Sequence, residues 1–222
     1  MNRSKPSRLV IFDCDGTLVD SDMISHKAFQ EVAAGHGLHL ELDDIANRFQ
    51  GRRIADGVVE LEQWLGRDLS SEFIQSFRDR EREALSLGLR PMAGAEALLR
   101  SLKVDICVAS NAPTEKIIHS LTATRLLAYF GGHIFSSYEI GSWKPDPAIF
   151  LHAARSMGYD PRECVVIEDS ALGIEAALAA DMRVYALQPN GISSRLSGRV
   201  EVISALSDLL NHTLFQSFLE TT

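Results

Sequence analysis

The stretch Leu9-Val10-Ile11-Phe12-Asp13-Cys14-Asp15-Gly16-Thr17-Leu18-Val19-Asp20 runs from four apolar residues straight into two aspartates set two positions apart. In an extended segment, side chains i and i+2 face the same way. The Asp13 and Asp15 carboxylates therefore converge on one site, while Cys14 turns into the opposite layer. If the apolar run is a strand of a doubly wound sheet, that site is its carboxyl edge, where such folds bind ligands. Gly16 supplies a turn there at little steric cost. A calcium loop of the EF-hand kind does not fit, because it needs another acid or amide two residues on and a glutamate at the twelfth position. Those places hold Thr17 and Ile24.

Short apolar runs of the same kind recur at residues 104–109, 133–135, 164–167 and 183–187, each bounded by turn formers or charges as buried strands are. Between them, residues 94–102, 114–127, 147–157 and 172–180 are rich in alanine and leucine. They alternate with the strands in the order of right-handed βα units on a parallel sheet. The expected fold class is α/β, a Rossmann-like doubly wound parallel sheet. One interval breaks the rhythm: residues 21–90 show no strand pattern, only helical periodicity at 25–34, 54–65 and 71–87. The expected organisation is a core domain of residues 1–20 and 91–222 carrying an all-helical domain of residues 21–90, with a helix-like tail after Ser204 that packs on the sheet.

With 222 residues, 45% of them hydrophobic, the chain can bury a core without staples. Its three cysteines, Cys14, Cys107 and Cys164, are odd in number and widely spaced, which speaks against both disulfides and structural zinc. Residues 1–8 are polar and the apolar run after them stops at Asp13, too short for a signal peptide or a membrane span. A cytoplasmic monomer is expected. The net charge of -8 disfavours nucleic acid and anionic membranes as partners. It also requires that any anionic substrate meet local cations.

Three further motifs close buried runs or start helices. Ser110 and Asn111 end the second strand in Val108-Ala109-Ser110-Asn111, and Lys144 precedes a proline in Trp143-Lys144-Pro145-Asp146-Pro147. Glu168 and Asp169 end another strand in Val165-Val166-Ile167-Glu168-Asp169-Ser170. Ser and Asn at a strand end also serve as caps, and an exposed lysine is usually only solvated, so each of these motifs is weak alone. Adjacent acids on a buried strand raise each other's pKa unless a cation compensates, and oxygen-rich sites suit a hard ion such as Mg²⁺.

In this order the four motifs, spread from Val10 to about Gly191, resemble the haloacid dehalogenase superfamily of phosphohydrolases. The helical interval resembles that family's first-type cap. The resemblance implies Asp13 as nucleophile and Asp15 as general acid and base. It implies Ser110, Asn111 and Lys144 as holders of the phosphoryl group. It also implies a Mg²⁺ site of Asp13, the Asp15 main-chain carbonyl, Glu168 and Asp169. The expected partner is a small phosphorylated metabolite, read by the cap. There, Phe49-Gln50-Gly51-Arg52-Arg53-Ile54 offers Arg52 and Arg53 at a helix start, suited to bidentate capture of a carboxylate or second phosphate, or simply solvated.

More locally the chain resembles the β-phosphoglucomutase-like branch. Where its mutases carry a histidine five residues beyond the aspartate corresponding to Asp20, this chain has Ser25, with His26 one position late. The segment from Phe135 to Pro145 resembles bacterial sugar-phosphate phosphatases of the 6-phosphogluconate type. The expected activity is phosphatase, with phosphomutase the alternative; a dehalogenase or a non-catalytic binding module fits less well.

Overall fold

A computed structural model describes residues 9–49, 51–69, 71–187, 200–213 and 215–219. The polar N-terminal residues 1–8 and the end of the family resemblance near Gly191 lie outside them. The described residues start with β1 (Leu9–Phe12) and then give four helices in succession: α1 (Asp22–Gly35), α2 (Leu42–Phe49), α3 (Ile54–Leu65) and α4 (Ser71–Gly88). Strands and helices then alternate: α5 (Ala95–Ser101), β2 (Asp105–Ser110), α6 (Thr114–Ala123), β3 (Ile134–Ser136), α7 (Ser137–Ile140), α8 (Ala148–Met157), β4 (Cys164–Glu168), α9 (Ala171–Ala179), β5 (Arg183–Leu187) and β6 (Val200–Ile203).

The six strands form one sheet in the order β3-β2-β1-β4-β5-β6, every pairing parallel. This is the doubly wound α/β sheet expected from the apolar runs. β1 is central, with Phe12 level with Val108 of β2 on one side and Ile167 of β4 on the other. All four of its residues are fully buried, as an uninterrupted apolar strand between two helical layers must be. Its two faces feed separate cores. Val10, Phe12 and Cys14 pack with Leu98 of α5, Ile117 and Leu121 of α6 and the C-terminal segment. Leu9 and Ile11 pack with Ile149, Phe150 and Ala153 of α8 and Ile174 and Ala177 of α9.

Helices α1 to α4 bury their apolar faces against one another in a third cluster. Phe29 sits at its centre, with ring centroids 4.2 Å from Phe49, 5.3 Å from Phe73 and 5.4 Å from Phe77. The three helical periodicities read in the sequence correspond to α1, α3 and α4. α2 was not anticipated, because only Ile45 and Phe49 of its eight residues are buried and its first turn is acidic. β6, a four-residue edge strand in which only Ile203 is buried, also escaped the reading.

The tail after Ser204 packs on the sheet as expected, but as two short 3-10 turns, Leu206–Asn211 and Gln216–Phe218, rather than a longer helix. Its Leu206, Leu209, Phe215 and Phe218 complete the core over β1 and β5. Phe215 lies edge-on to Tyr185 at 5.3 Å and stacks on Phe218 at 4.8 Å. All three cysteines are buried and free. Among the described residues no helix is long and apolar enough to cross a membrane. Because the tail closes one face of the sheet, Phe215→Ala should lower the unfolding free energy by about 3–5 kcal/mol in urea titrations; a loss under about 1 kcal/mol would show that the tail is peripheral.

Candidate active site

In a sheet of this order, the chain leaves β1 for β2 on one side and reaches β4 on the other, which opens a crevice at the carboxyl ends of the strands. The predicted polar residues arrive there together. Asp13 follows β1, Ser110 ends β2, Glu168 ends β4 and Asp169 comes next. Asp13 still belongs to the sheet, since its N–H donates to the Ile167 carbonyl at 3.0 Å. Gly16, in the left-handed region at φ +75, makes the turn out of β1, and a β-carbon there would overlap the Asp169 carboxylate.

Lys144 is the hub. Its Nζ donates to Asp13 Oδ1 and to Glu168 Oε2, each at 2.6 Å, and it lies over the Phe150 ring at 4.9 Å. All three groups are nearly shut off from solvent, at 4% exposure for Lys144, 6% for Asp13 and 1% for Glu168. Burial alone pulls the ammonium pKa down, but the Asp13 and Glu168 carboxylates outweigh it and hold the value above normal, so Lys144 is charged. Its loop is fixed by Asn111, whose Oδ1 accepts from the Lys144 N–H at 2.9 Å and from Ser137 Oγ at 2.8 Å. Asn111 Nδ2 donates to the Gly51 carbonyl in the helical segment at 3.0 Å.

The remaining oxygen of Glu168, Oε1, accepts from the N–H groups of Asp169 and Ser170 and from Ser170 Oγ, so both of its oxygens are engaged. A β-carbon at Gly173 would overlap the Glu168 carboxyl group, so α9 can start against this acid only with glycine there. Thr17 Oγ1 donates to Asp169 Oδ1 at 2.9 Å.

Asp13, Glu168 and Asp169 each offer a carboxylate oxygen, all within 4.8 Å of one another. Burial first, then Glu168, pushes the Asp13 and Asp169 carboxyls well above the usual carboxylate range, even with Lys144 opposing it at Asp13. One ammonium among three carboxylates leaves an excess of negative charge in a buried place, and all donors are hard oxygens. A divalent cation such as Mg²⁺ fits that set.

The Asp15 carboxylate is held at both oxygens. Ser21 Oγ donates to Oδ1 at 2.6 Å, and Lys116 of α6 lies 3.2 Å from Oδ2. Lys116 also pairs with Glu81 of α4 at 3.0 Å, and the same Glu81 oxygen accepts from Ser25 of α1 at 2.7 Å. Burial lowers the Lys116 pKa, but Asp15 and Glu81 more than restore it. Above these groups, α1, α4 and the Gly51–Arg52 turn close a cleft of about 190 Å³ that Asp13, Asp15, Ser110, Asn111, Lys144, Glu168 and Asp169 line from below.

Residues 7–181 match the haloacid dehalogenase-like hydrolase family. The chain belongs to that family. It is 35% identical over 179 residues to the 6-phosphogluconate phosphatase of Escherichia coli (strain K12), covering 79% of this chain and 80% of that one. It is 30% identical over 189 residues to a fructose-1-phosphate phosphatase of the same bacterium, covering 78% and 92%. Among solved structures, a family hydrolase from Deinococcus radiodurans R1 with bound phosphate and sodium matches with a TM-score of 0.76 at 30% identity, covering 99% of this chain and 100% of that one. The haloacid dehalogenase-like hydrolase described here is an enzyme of the phosphoric monoester hydrolase class.

Every core residue singled out in the hydrolase's sequence lines the one crevice, but the two cap arginines part ways. Arg52 reaches the cleft wall with its Nη1 on Glu60 at 2.7 Å and on the Arg48 carbonyl at 3.2 Å. Arg53 is not among the cleft-lining residues; it stacks on the Trp143 ring at 4.3 Å. Sequence reading missed Thr17, Ser21, Lys116 and Glu81. Glu81 had a signal: the buried stripe Phe73, Phe77, Glu81, Leu85 along α4 contains one acid where an apolar residue belongs. Because Gly173 makes room for Glu168, Gly173→Ala should cost about 1–3 kcal/mol of stability in urea titrations; a loss under about 0.5 kcal/mol would show that Glu168 can be placed without that glycine.

Proposed function

We propose that this hydrolase releases phosphate from a small phosphorylated sugar or sugar acid, of which 6-phosphogluconate is the leading example, by phosphoryl transfer to Asp13 with Mg²⁺ bound beside it. The observation that carries the reading is the Asp13 carboxylate, buried at the switch point, with Lys144 on one oxygen and the cleft before it. Uncatalysed phosphate monoester hydrolysis is among the slowest reactions known, and its catalysis is mostly positioning and charge stabilisation. The 6-phosphogluconate and fructose-1-phosphate phosphatases among its relatives support the substrate class.

Asp13 attacks phosphorus, forming a carboxyl–phosphate bond while the bond from phosphorus to the sugar oxygen breaks. Asp15 enters this step as the protonated acid and gives that oxygen its proton, becoming the carboxylate. Water then attacks the aspartyl phosphate, Asp15 takes the water's proton, and inorganic phosphate leaves with the Asp13 carboxylate regenerated. Ser21 and Lys116 hold the Asp15 oxygens for both proton transfers. Ser110 and Lys144 receive the phosphoryl oxygens, and Asn111, its amide already engaged, places Lys144 for that role. Asp13, Asp169 and the Asp15 carbonyl would hold the Mg²⁺, with Glu168 adding charge and anchoring Lys144. The ion supplies charge neutralisation between the carboxylate and the anionic phosphoryl group.

Residues 21–90 serve as the cap that excludes water and admits the sugar. The position where mutases of this branch carry a histidine holds Ser25, and its hydroxyl is spent on Glu81, which favours the phosphatase over the mutase.

Three measurements test this. Release of phosphate from a panel of sugar phosphates should stop on chelation and return with Mg²⁺, and activity that survives chelation would overturn the metal assignment. Asp13→Asn should abolish turnover of every substrate, while an aldose 1-phosphate should yield free phosphate and no 6-phosphate isomer. Lys116→Met should lower kcat by about 10-fold or more, up to the roughly 100-fold or greater contribution of general acid–base catalysis itself, and leave KM near its original value. A rise in KM with kcat intact would make Lys116 a substrate contact instead.

A further inference from the structure

We propose that Arg78 of α4 recognises a second anionic group, a carboxylate or phosphate, at the end of the substrate remote from the reacting phosphate. The inference rests on the phosphatase reading above and adds to it the class of substrate: phosphorylated sugar acids or bisphosphates rather than neutral monophosphates.

The lysines and arginines that line the cleft differ in what they are bound to. Lys144 is spent on Asp13 and Glu168, and Lys116 on Asp15 and Glu81. Arg52 is held by Glu60 at 2.7 Å, a carboxylate that Arg48 shares at 2.8 Å, and by the Arg48 carbonyl, while Arg82, more than half exposed, lies 3.5 Å from Asp79. For Arg78 no carboxylate within ion-pair distance is found among the described residues. Its contacts are with Tyr138 of α7 in the core, whose hydroxyl lies 3.5 Å from Nη2 and whose ring centroid is 5.8 Å from the guanidinium carbon.

An aromatic neighbour orients a guanidinium without neutralising it, so the charge and the forked N–H donors stay available to a planar two-oxygen anion or a phosphate. Position along the helix agrees. α4 turns Arg78, Glu81, Arg82 and Leu85 toward the cleft at spacings of three and four, one face of a helix. Glu81 on that face is occupied by Lys116 and Ser25. The same helix thus meets Asp15, through Lys116, one turn from an uncommitted cation. The arginines that sequence motifs favoured, Arg52 and Arg53, would each have to leave an existing partner to do this work: Glu60 for one, the Trp143 ring for the other.

The test compares kcat/KM of the native enzyme, Arg78→Gln and Arg78→Lys with Mg²⁺ on three six-carbon substrates: 6-phosphogluconate, glucose 1,6-bisphosphate and sorbitol 6-phosphate. The native enzyme should prefer at least one of the two anion-ended substrates to the neutral one. In Arg78→Gln the ratio of that substrate to sorbitol 6-phosphate should fall about 10- to 100-fold, chiefly through KM, as expected for loss of a charge-assisted contact. Arg78→Lys should recover part of it. Which anion-ended substrate loses the advantage tells carboxylate from phosphate. An equal fall on all three substrates, or none, overturns the proposal while leaving the phosphatase reading intact. Failure of the native enzyme to hydrolyse any of the three with metal present overturns both.

Discussion

The ammonium of Lys144, buried between Asp13 and Glu168, is the interaction on which the rest of the site depends. Three carboxylates at the closed edge of a sheet repel one another, and taking each out of water costs several kcal/mol after relaxation. A buried ion pair repays that only where geometry is good and the leftover lone pairs are satisfied. Here they are. Glu168 gives one oxygen to Lys144 and the other to the start of α9, and Asp169 takes the Thr17 hydroxyl. Lys144 itself comes from a loop, so its position must be imposed, and Asn111 imposes it from the end of β2 through the lysine's own N–H. The site is therefore one network drawn from β1, β2, β4 and the loop before α8. Removing one partner leaves an uncompensated charge in a dry place, and such losses exceed the net worth of the pair.

What the sequence made legible follows from how local each signal is. β1 was read to the residue because its four apolar side chains are buried on both faces and stop at a charge, and β5 because four buried apolar residues follow the exposed Arg183. Asp13, Ser110, Glu168 and Asp169 were legible because strand ends of a doubly wound sheet bring ligands to one edge, so a polar residue closing an apolar run already has an address, whereas Lys144, on a loop, was legible only from the order of the motifs. β6 and α2 were not, since each buries too few residues for a periodic pattern to rise above its surroundings. The Lys116–Glu81 pair was hidden for a different reason. An ion pair between helices 35 positions apart leaves no mark on either neighbourhood except that one acid interrupts an apolar stripe, which is weak until the fold is known.

The two cap arginines show a third kind of limit. A glycine followed by two arginines at a helix start says that cations are near the cleft, but not what they are already bound to. Arg52 faces the cleft and is held by Glu60, which Arg48 shares; the Arg53 guanidinium lies over the Trp143 ring and beside Asp56. Residue type fixes the charge, and only the neighbours decide whether that charge is available.

Availability also settles how a chain of net charge -8 can accept an anion. Charges farther away than about a Debye length, roughly 8–10 Å in ordinary salt, are screened, so the overall balance sets solubility and not the local field. Within the cleft, the acids nearest the reacting phosphate are each tied to a lysine or a hydroxyl, and a dication fits among them. Helix α4 carries the same logic toward the far wall: its Glu81 is cancelled by Lys116, and its Arg78 is left with a neutral aromatic neighbour. The potential along the cleft thus depends on which side chains are paired, and the pairs on α4 are separate from those that join Lys144 to the carboxylates below.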